Sequence, residues 1–137
     1  MASDSFVHLH VHSEYSMLDG AARIGAMVQE AAAQGSPAIA VTDHGNTFAA
    51  FEFYKAAKDA GIKPIIGIEA YVTPGTHRSE KSRVRWGSPE QSDDDVSGSG
   101  AYTHMTLLSA TTEGMHNLFR LSSLASMEGY YFKPLMD

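Results

Sequence analysis

The stretch Pro37-Ala38-Ile39-Ala40-Val41-Thr42-Asp43-His44 decides the fold. Its apolar run, residues 38–42, is too short for a helix and is closed off by a proline and an aspartate, which marks a buried strand. Upstream, Ile24, Met27, Val28 and Ala31 recur at helical spacing and predict a helix over 24–34, with Gly35 at the C′ position. Before that helix, residues 6–10 read as a short strand, His12 lies just past its end, and Asp19-Gly20 marks a turn. The order strand, helix, strand is set by Thr42.

The alternation continues downstream. Residues 47–60 fit a second helix ended by Gly61, and residues 63–72 a third strand with Ile65, Ile66, Ile68 and Tyr71 as its body, stopped by Pro74-Gly75. From 76 to 100 the composition shifts to Ser, Gly, Asp and Arg, the mark of an exposed flexible loop or insertion. Residues 102–109 restore a strand. Residues 112–127 restore a helix that turns Met115, Leu118, Phe119, Leu121 and Leu124 inward and is capped by Thr111 or Thr112. Strands alternating with helices predict an α/β fold, a parallel sheet covered by helices and either open or rolled into a barrel.

Composition bounds the function. The 137 residues are 43% hydrophobic, enough for one core. No run approaches the roughly 20 apolar residues that cross a bilayer, and the first residues lack the regions of a signal peptide, so a cytoplasmic protein with no membrane partner is expected. There is no cysteine, which excludes disulfides, thiolate metal sites and cysteine nucleophiles. The formal charge of −6 is the wrong sign for holding DNA by phosphate neutralisation alone. Carboxylates are, however, what divalent cations require.

The unusual residues gather at one edge of this skeleton, where strands of parallel α/β folds end and ligands bind. They are His8, His10 and His12, then Asp43 and His44, then Glu69 and finally His104. A lone histidine there is ordinarily a hydrogen-bonded structural residue. Three on one face of a strand serve little structural purpose, and a carboxylate such as Glu69 inside an apolar strand needs a partner. With Asp19 and Asp43 they offer a mixed nitrogen and oxygen site suited to zinc, manganese or iron. Plainer readings stand beside this one: Asp43-His44-Gly45-Asn46 as a turn opening a helix, and His104 as a satisfied core histidine. His77, His116, the basic cluster Arg78, Lys81, Arg83, Arg85 with Trp86, and Asp93-Asp94-Asp95 read as solvated surface.

Three segments carry a wider pattern: His8-Leu9-His10-Val11-His12-Ser13-Glu14-Tyr15-Ser16-Met17-Leu18-Asp19-Gly20; Val41-Thr42-Asp43-His44-Gly45-Asn46; and Gly67-Ile68-Glu69-Ala70-Tyr71-Val72 with its approach from Gly61. Together they resemble the polymerase and histidinol phosphatase (PHP) family, in the version carried by bacterial replicative polymerases. Stretches of the tail, from Tyr102 to Pro134, are similar to that version too, so the likeness spans nearly all of the chain outside 79–100. The resemblance implies a distorted (β/α)7 barrel, TIM-like, with up to three divalent metal ions at the strand ends. It implies His10, His12, Asp19, His44, Glu69 and His104 as ligands, with His8 and Asp43 behind them. A further histidine and a late Asp-x-His motif that complete such sites are not among these residues, and a complete eightfold barrel takes roughly 250. The expectation is therefore an N-terminal, truncated portion of the domain, with an exposed edge open to self-association. The residue after Lys133-Pro134 is Leu135, where this version commonly carries Arg.

The likeness implies a DNA-directed polymerase as the parent protein, working on DNA with fellow subunits. Its PHP site is then a metal-dependent 3'-5' exonuclease or phosphoesterase, with little catalysis by this chain alone. A non-catalytic, metal-stabilised docking domain and a stand-alone phosphatase are the competing readings.

Overall fold

The computed structural model describes residues 6–73, 75–80 and 102–137. Chain order runs through a 3-10 turn (Glu14–Ser16), α1 (Ile24–Ala33), β1 (Ala38–Val41), α2 (Ala50–Asp59), β2 (Lys63–Val72), β3 (Thr103–Leu108), α3 (Thr112–Glu128), β4 (Tyr130–Tyr131) and β5 (Lys133–Met136). The sheet order is β1-β2-β5-β4, with β3 also paired to β2. β2 is thus the spine. It runs parallel to β1 from Ala38↔Lys63 to Val41↔Ile66 and parallel to β5 at Tyr71↔Leu135. This is part of an α/β barrel of the TIM-like type, with helices over one face of a partial sheet.

Burial explains the spine. All four residues of β1 are buried, which is the continuous apolar run expected of a covered parallel strand. On β2 the faces alternate: Ile68 and Ala70 pack with Leu118, Ala125 and Met136 beneath α3, while Glu69 and Tyr71 face the other way. A second core joins Ile24, Val28 and Ala31 of α1 to Ile39 and Val41 of β1, Phe53 and Ala57 of α2, and Ile66. Gly35 and Gly61 follow α1 and α2 with φ 77° and 74°, as expected of helix-ending glycines. Thr111 caps α3, its hydroxyl accepting the Gly114 N–H at 3.0 Å.

Three expectations about the elements are corrected, and one element is new. Residues 6–10 form no strand: a single parallel bridge joins His8 to Ile39, with the Ala40 N–H on the His8 carbonyl at 2.9 Å, and the next N–H along β1's edge, that of Thr42, donates to the Val11 carbonyl at 2.8 Å rather than to that of His10, a slip of one residue that ends the ladder. α2 begins at Ala50, not at residue 47, because the Asn46 side chain accepts the Phe48 N–H at 3.1 Å and turns the chain before the helix can start. β3 is antiparallel to β2, with Tyr71↔His104 and Glu69↔Thr106 in register. Only a crossover element forces parallel pairing, and the sequence between these strands carries no helical pattern. The tail folds back as the β4–β5 hairpin about Phe132 at φ 59°, an element whose four-residue return strand gave no periodic signal.

Most of the expected insertion, residues 81–101, lies outside the described residues, and with it Lys81, Arg83, Arg85, Trp86 and Asp93-Asp94-Asp95. Arg78, read as solvated, is instead clasped to the tail: its guanidinium lies 2.8 Å from Asp137 and 3.8 Å from Glu128. His77 and His116 are exposed, as expected. No helix among the described residues is long and apolar enough to cross a membrane.

Candidate metal centre

Glu69 is the hub. Its side chain is 7% exposed, and its two oxygens face imidazoles from three different segments. Oε2 meets His10 Nε2 in a short contact and His12 Nε2 at 2.7 Å, while Oε1 meets His104 Nδ1 in a short contact and lies 3.5 Å from His44 Nδ1. His44 Nε2 in turn lies 2.5 Å from Asp19 Oδ2. Burial pushes the Glu69 carboxyl up, but the hydrogen bonds from His104, His10 and His12 and the charge of His44 outweigh it and hold it at about 2.

Local structure delivers each side chain. His44 follows β1 and reaches Glu69 through an isolated parallel bridge, with the Gly45 N–H on the Glu69 carbonyl at 2.8 Å. Gly45 has φ 64°, and a Cβ there would meet Pro134 Cγ at 2.6 Å and Tyr71 Cε2 at 2.9 Å, so only glycine lets the chain turn so close to the site. His104 is the second residue of β3. In a parallel strand it would stand at the far end of the sheet, and the antiparallel register is what places it beside Tyr71 and Glu69. Tyr71, 3% exposed, walls the site: its ring lies stacked on His44 at 5.9 Å and edge-on to His104 at 4.9 Å. Burial pushes its phenol up to about 12, aided by the neighbouring Tyr102, Glu69 and Asp19.

Asp43, 1% exposed, points away from the histidines and organises the turn that joins two of the site's residues, His12 and Asp19. It accepts the Ser13 N–H at 2.7 Å, the Ser13 hydroxyl at 2.7 Å and the Ser16 hydroxyl at 2.6 Å. Ser13 and Ser16 lie between His12 and Asp19, so one buried carboxylate sets the path of both. The serines went unnoticed in the sequence; their spacing around the 3-10 turn is the signal that marks them. His8, expected behind the ligands, stands apart. Its ring packs edge-on to Phe6 at 4.8 Å and lines a cavity with Met27 and Glu30 of α1 and Gln34 just past its end. Without a regular strand there, the alternation that would carry His8 to the side of His10 and His12 is lost.

The donors fit a cation. His10 Nε2 and His12 Nε2 lie 3.1 Å apart while both face the same Glu69 oxygen. If both nitrogens carry protons the N–H groups oppose each other, and if either is bare its lone pair faces a carboxylate. His44 Nδ1 is buried with no hydrogen-bond partner among the described residues. Three triads have ligand atoms within 4.8 Å of one another: His10, His12 and Glu69; His12, Asp19 and His44; His44, Glu69 and His104. Each pair of triads shares one residue.

The chain belongs to the PHP domain family, which it matches over residues 8–137. Among curated relatives it is similar to the DNA polymerase III subunit alpha of Saccharopolyspora erythraea, 59% identical over 144 residues that take in 100% of this chain and 12% of that protein. The same subunit of Mycobacterium tuberculosis (strain H37Rv) is 58% identical over 96% of the chain and 11% of the relative, and that of Aquifex aeolicus 42% identical over 98% and 11%. The chain thus spans about 11–12% of the length of these relatives. Among solved structures, an amidohydrolase from Chromobacterium violaceum, determined with bound sulfate and no metal, shares the fold with a TM-score of 0.50 at 24% identity, over 86% of this chain and 34% of that one.

Proposed function

We propose that this chain is the N-terminal PHP segment of a bacterial DNA polymerase III alpha subunit, and that in the full-length protein its centre is a metal-dependent phosphoesterase acting as a 3'-5' exonuclease on DNA. The observation that carries this reading is the convergence of five imidazole and carboxylate side chains on and around Glu69, including the buried Nδ1 of His44, which has no hydrogen-bond partner among the described residues. The similarity to alpha subunits supplies the polymerase context; polymerisation and the partner subunits belong to that context.

His10, His12 and Glu69 would hold one ion, His12, Asp19 and His44 a second, and His44, Glu69 and His104 a third. Imidazole with carboxylate suits zinc, manganese or iron. Divalent ions there supply Lewis acidity toward a phosphoryl oxygen and lower the pKa of bound water. The chain's own part is geometric. Glu69, fixed on the spine strand, presents both oxygens in opposite directions, and Asp43 holds the Ser13–Ser16 turn so that His12 and Asp19 approach from one side. Tyr71 stays a neutral phenol and lines the site beside His44 and His104. The solvent-facing His10 and Asp19, with side chains 54% and 68% exposed, leave the centre open to a strand end.

One observation also favours a structural role: the same triads tie together the 8–19 segment, the end of β1, β2 and β3, so a cation there would staple the fold whether or not it catalyses. Elemental mass spectrometry paired with a single-strand exonuclease assay, on the full natural polypeptide carrying this sequence and its His10→Ala, His12→Ala variant, separates the two. Metal and nuclease activity lost together support the exonuclease. A metal-loaded wild type with no nuclease activity leaves the structural role.

A further inference from the structure

We propose that Lys133 is the anion-binding residue of this centre, holding a phosphate of the substrate strand from a position over the Tyr71 ring. The inference rests on the phosphoester reading above and adds the group that reads the substrate's charge. Lys133 Nζ lies 5.3 Å from the centroid of the Tyr71 ring, and that ring is itself stacked on His44 and edge-on to His104. The ammonium is therefore one aromatic ring away from two of the candidate ligands.

Its backbone is held in place. Lys133 opens β5, which pairs with β2 at Tyr71↔Leu135, and the Thr73 N–H donates to the Met136 carbonyl at 2.7 Å. Pro134, the next residue, packs against Gly45 so closely that a Cβ at 45 would strike it. The side chain above this anchor is exposed. A lysine over an aromatic face is held only loosely, so its three donors remain free to turn toward a ligand.

Its charge is also available. Among the described residues no carboxylate lies within ion-pair distance of Lys133, whereas Arg78 is engaged by Asp137 and Glu128. Lys55 sits over Phe51 on α2, away from the centre. A phosphodiester is an anion, and it approaches a chain of net charge −6 through a site that presents Glu69 and Asp19. Cations bound by those carboxylates would meet the scissile group. A lysine at the rim supplies a point charge for a phosphate beside it, the role lysines commonly play toward phosphate.

The test uses the full natural polypeptide loaded with manganese, with Lys133→Ala, Lys133→Arg and, as a control for lost surface charge, Lys58→Ala on the last turn of α2. Three quantities are read: manganese content, the Kd of inorganic phosphate by calorimetry, and KM and kcat for a single-stranded oligonucleotide. Lys133→Ala is expected to weaken phosphate binding and raise KM about tenfold, the loss of one charge-assisted hydrogen bond, with kcat within about twofold and manganese unchanged. Lys133→Arg is expected to recover most of the loss, and Lys58→Ala to show none. Lys133→Met, which keeps the stem on Tyr71, replaces the alanine variant if that does not fold. Unchanged Kd and KM with full manganese overturn the proposal, as does loss of manganese, which would make Lys133 a prop for the Tyr71 wall. A wild type that binds phosphate through Lys133 but hydrolyses nothing upholds the anion site while the exonuclease reading falls.

Discussion

Ser16 joins Asp43 to His44: its hydroxyl donates to Asp43 Oδ1 at 2.6 Å and accepts the His44 backbone N–H at 3.2 Å. A buried carboxylate that touches none of the site's histidine rings therefore fixes the residue next to it in sequence and, through Ser13, the loop that carries His12.

Asp43→Ala is expected to act at that distance. The Ser13 N–H and two serine hydroxyls lose their acceptor, each unsatisfied buried donor costing about 1–3 kcal/mol. Metal affinity is expected to fall about 10- to 100-fold, the range seen when groups that orient ligands are removed. Metal titration by calorimetry alongside urea unfolding reads both, and wild-type affinity in a folded Asp43→Ala protein would show that the turn holds itself.

Metal removal is expected to loosen the fold. A cation bound at a hundred times its Kd stabilises the folded state by about 2.7 kcal/mol, enough to move Tm by several degrees. Thermal melts with and without chelator should separate for the wild type and coincide for Glu69→Gln, whose hub has lost its charge. Identical melts for the wild type in both conditions would remove the stapling role.

From α1 to β2 the order of elements was legible because α1, β1 and β2 are long or strongly patterned: Ile24 and Val28 at helical spacing, four apolar residues in β1, and Glu69 as the one carboxylate in an apolar strand. What stayed hidden was direction. Nothing in residues 103–108 distinguishes an antiparallel from a parallel strand, yet only the antiparallel one brings His104 to the hub. His10, His12, Asp19, His44, Glu69 and His104 come together around one point, and each had stood out in the sequence as a histidine or carboxylate near a strand end or, for Asp19, at a turn. His8 departs because its segment slips by one residue against β1, the Thr42 N–H meeting the Val11 carbonyl, an irregularity that no periodicity encodes. Asp43 was visible as a residue, but its serine partners depend on a turn whose path the sequence leaves open.

The Arg78 clasp carries a pH dependence. Slight burial pushes the Asp137 carboxyl up, but the Arg78 backbone N–H, the guanidinium's charge and hydrogen bond, and the charge of His77 together hold it below the ordinary aspartate range. The folded state thus gains stability from this group above about pH 3.9 and loses it as pH falls through the lowered value. Asp137→Asn is expected to flatten Tm against pH between about 5 and 2, by at most about 1 kcal/mol, the worth of a surface pair. Parallel curves for wild type and variant would show that the clasp is energetically silent.

Because β2 and β3 are antiparallel neighbours, Val72 and Thr103 stand opposite each other as the last register pair beside the metal centre. Joining two positions that already face each other costs little that depends on length, since each doubling of a loop adds only about 0.6 kcal/mol of closure entropy. What an engineer replacing the intervening sequence would have to keep is its near end, where Thr73 is bonded to Met136 and Arg78 is clasped to Asp137 and Glu128.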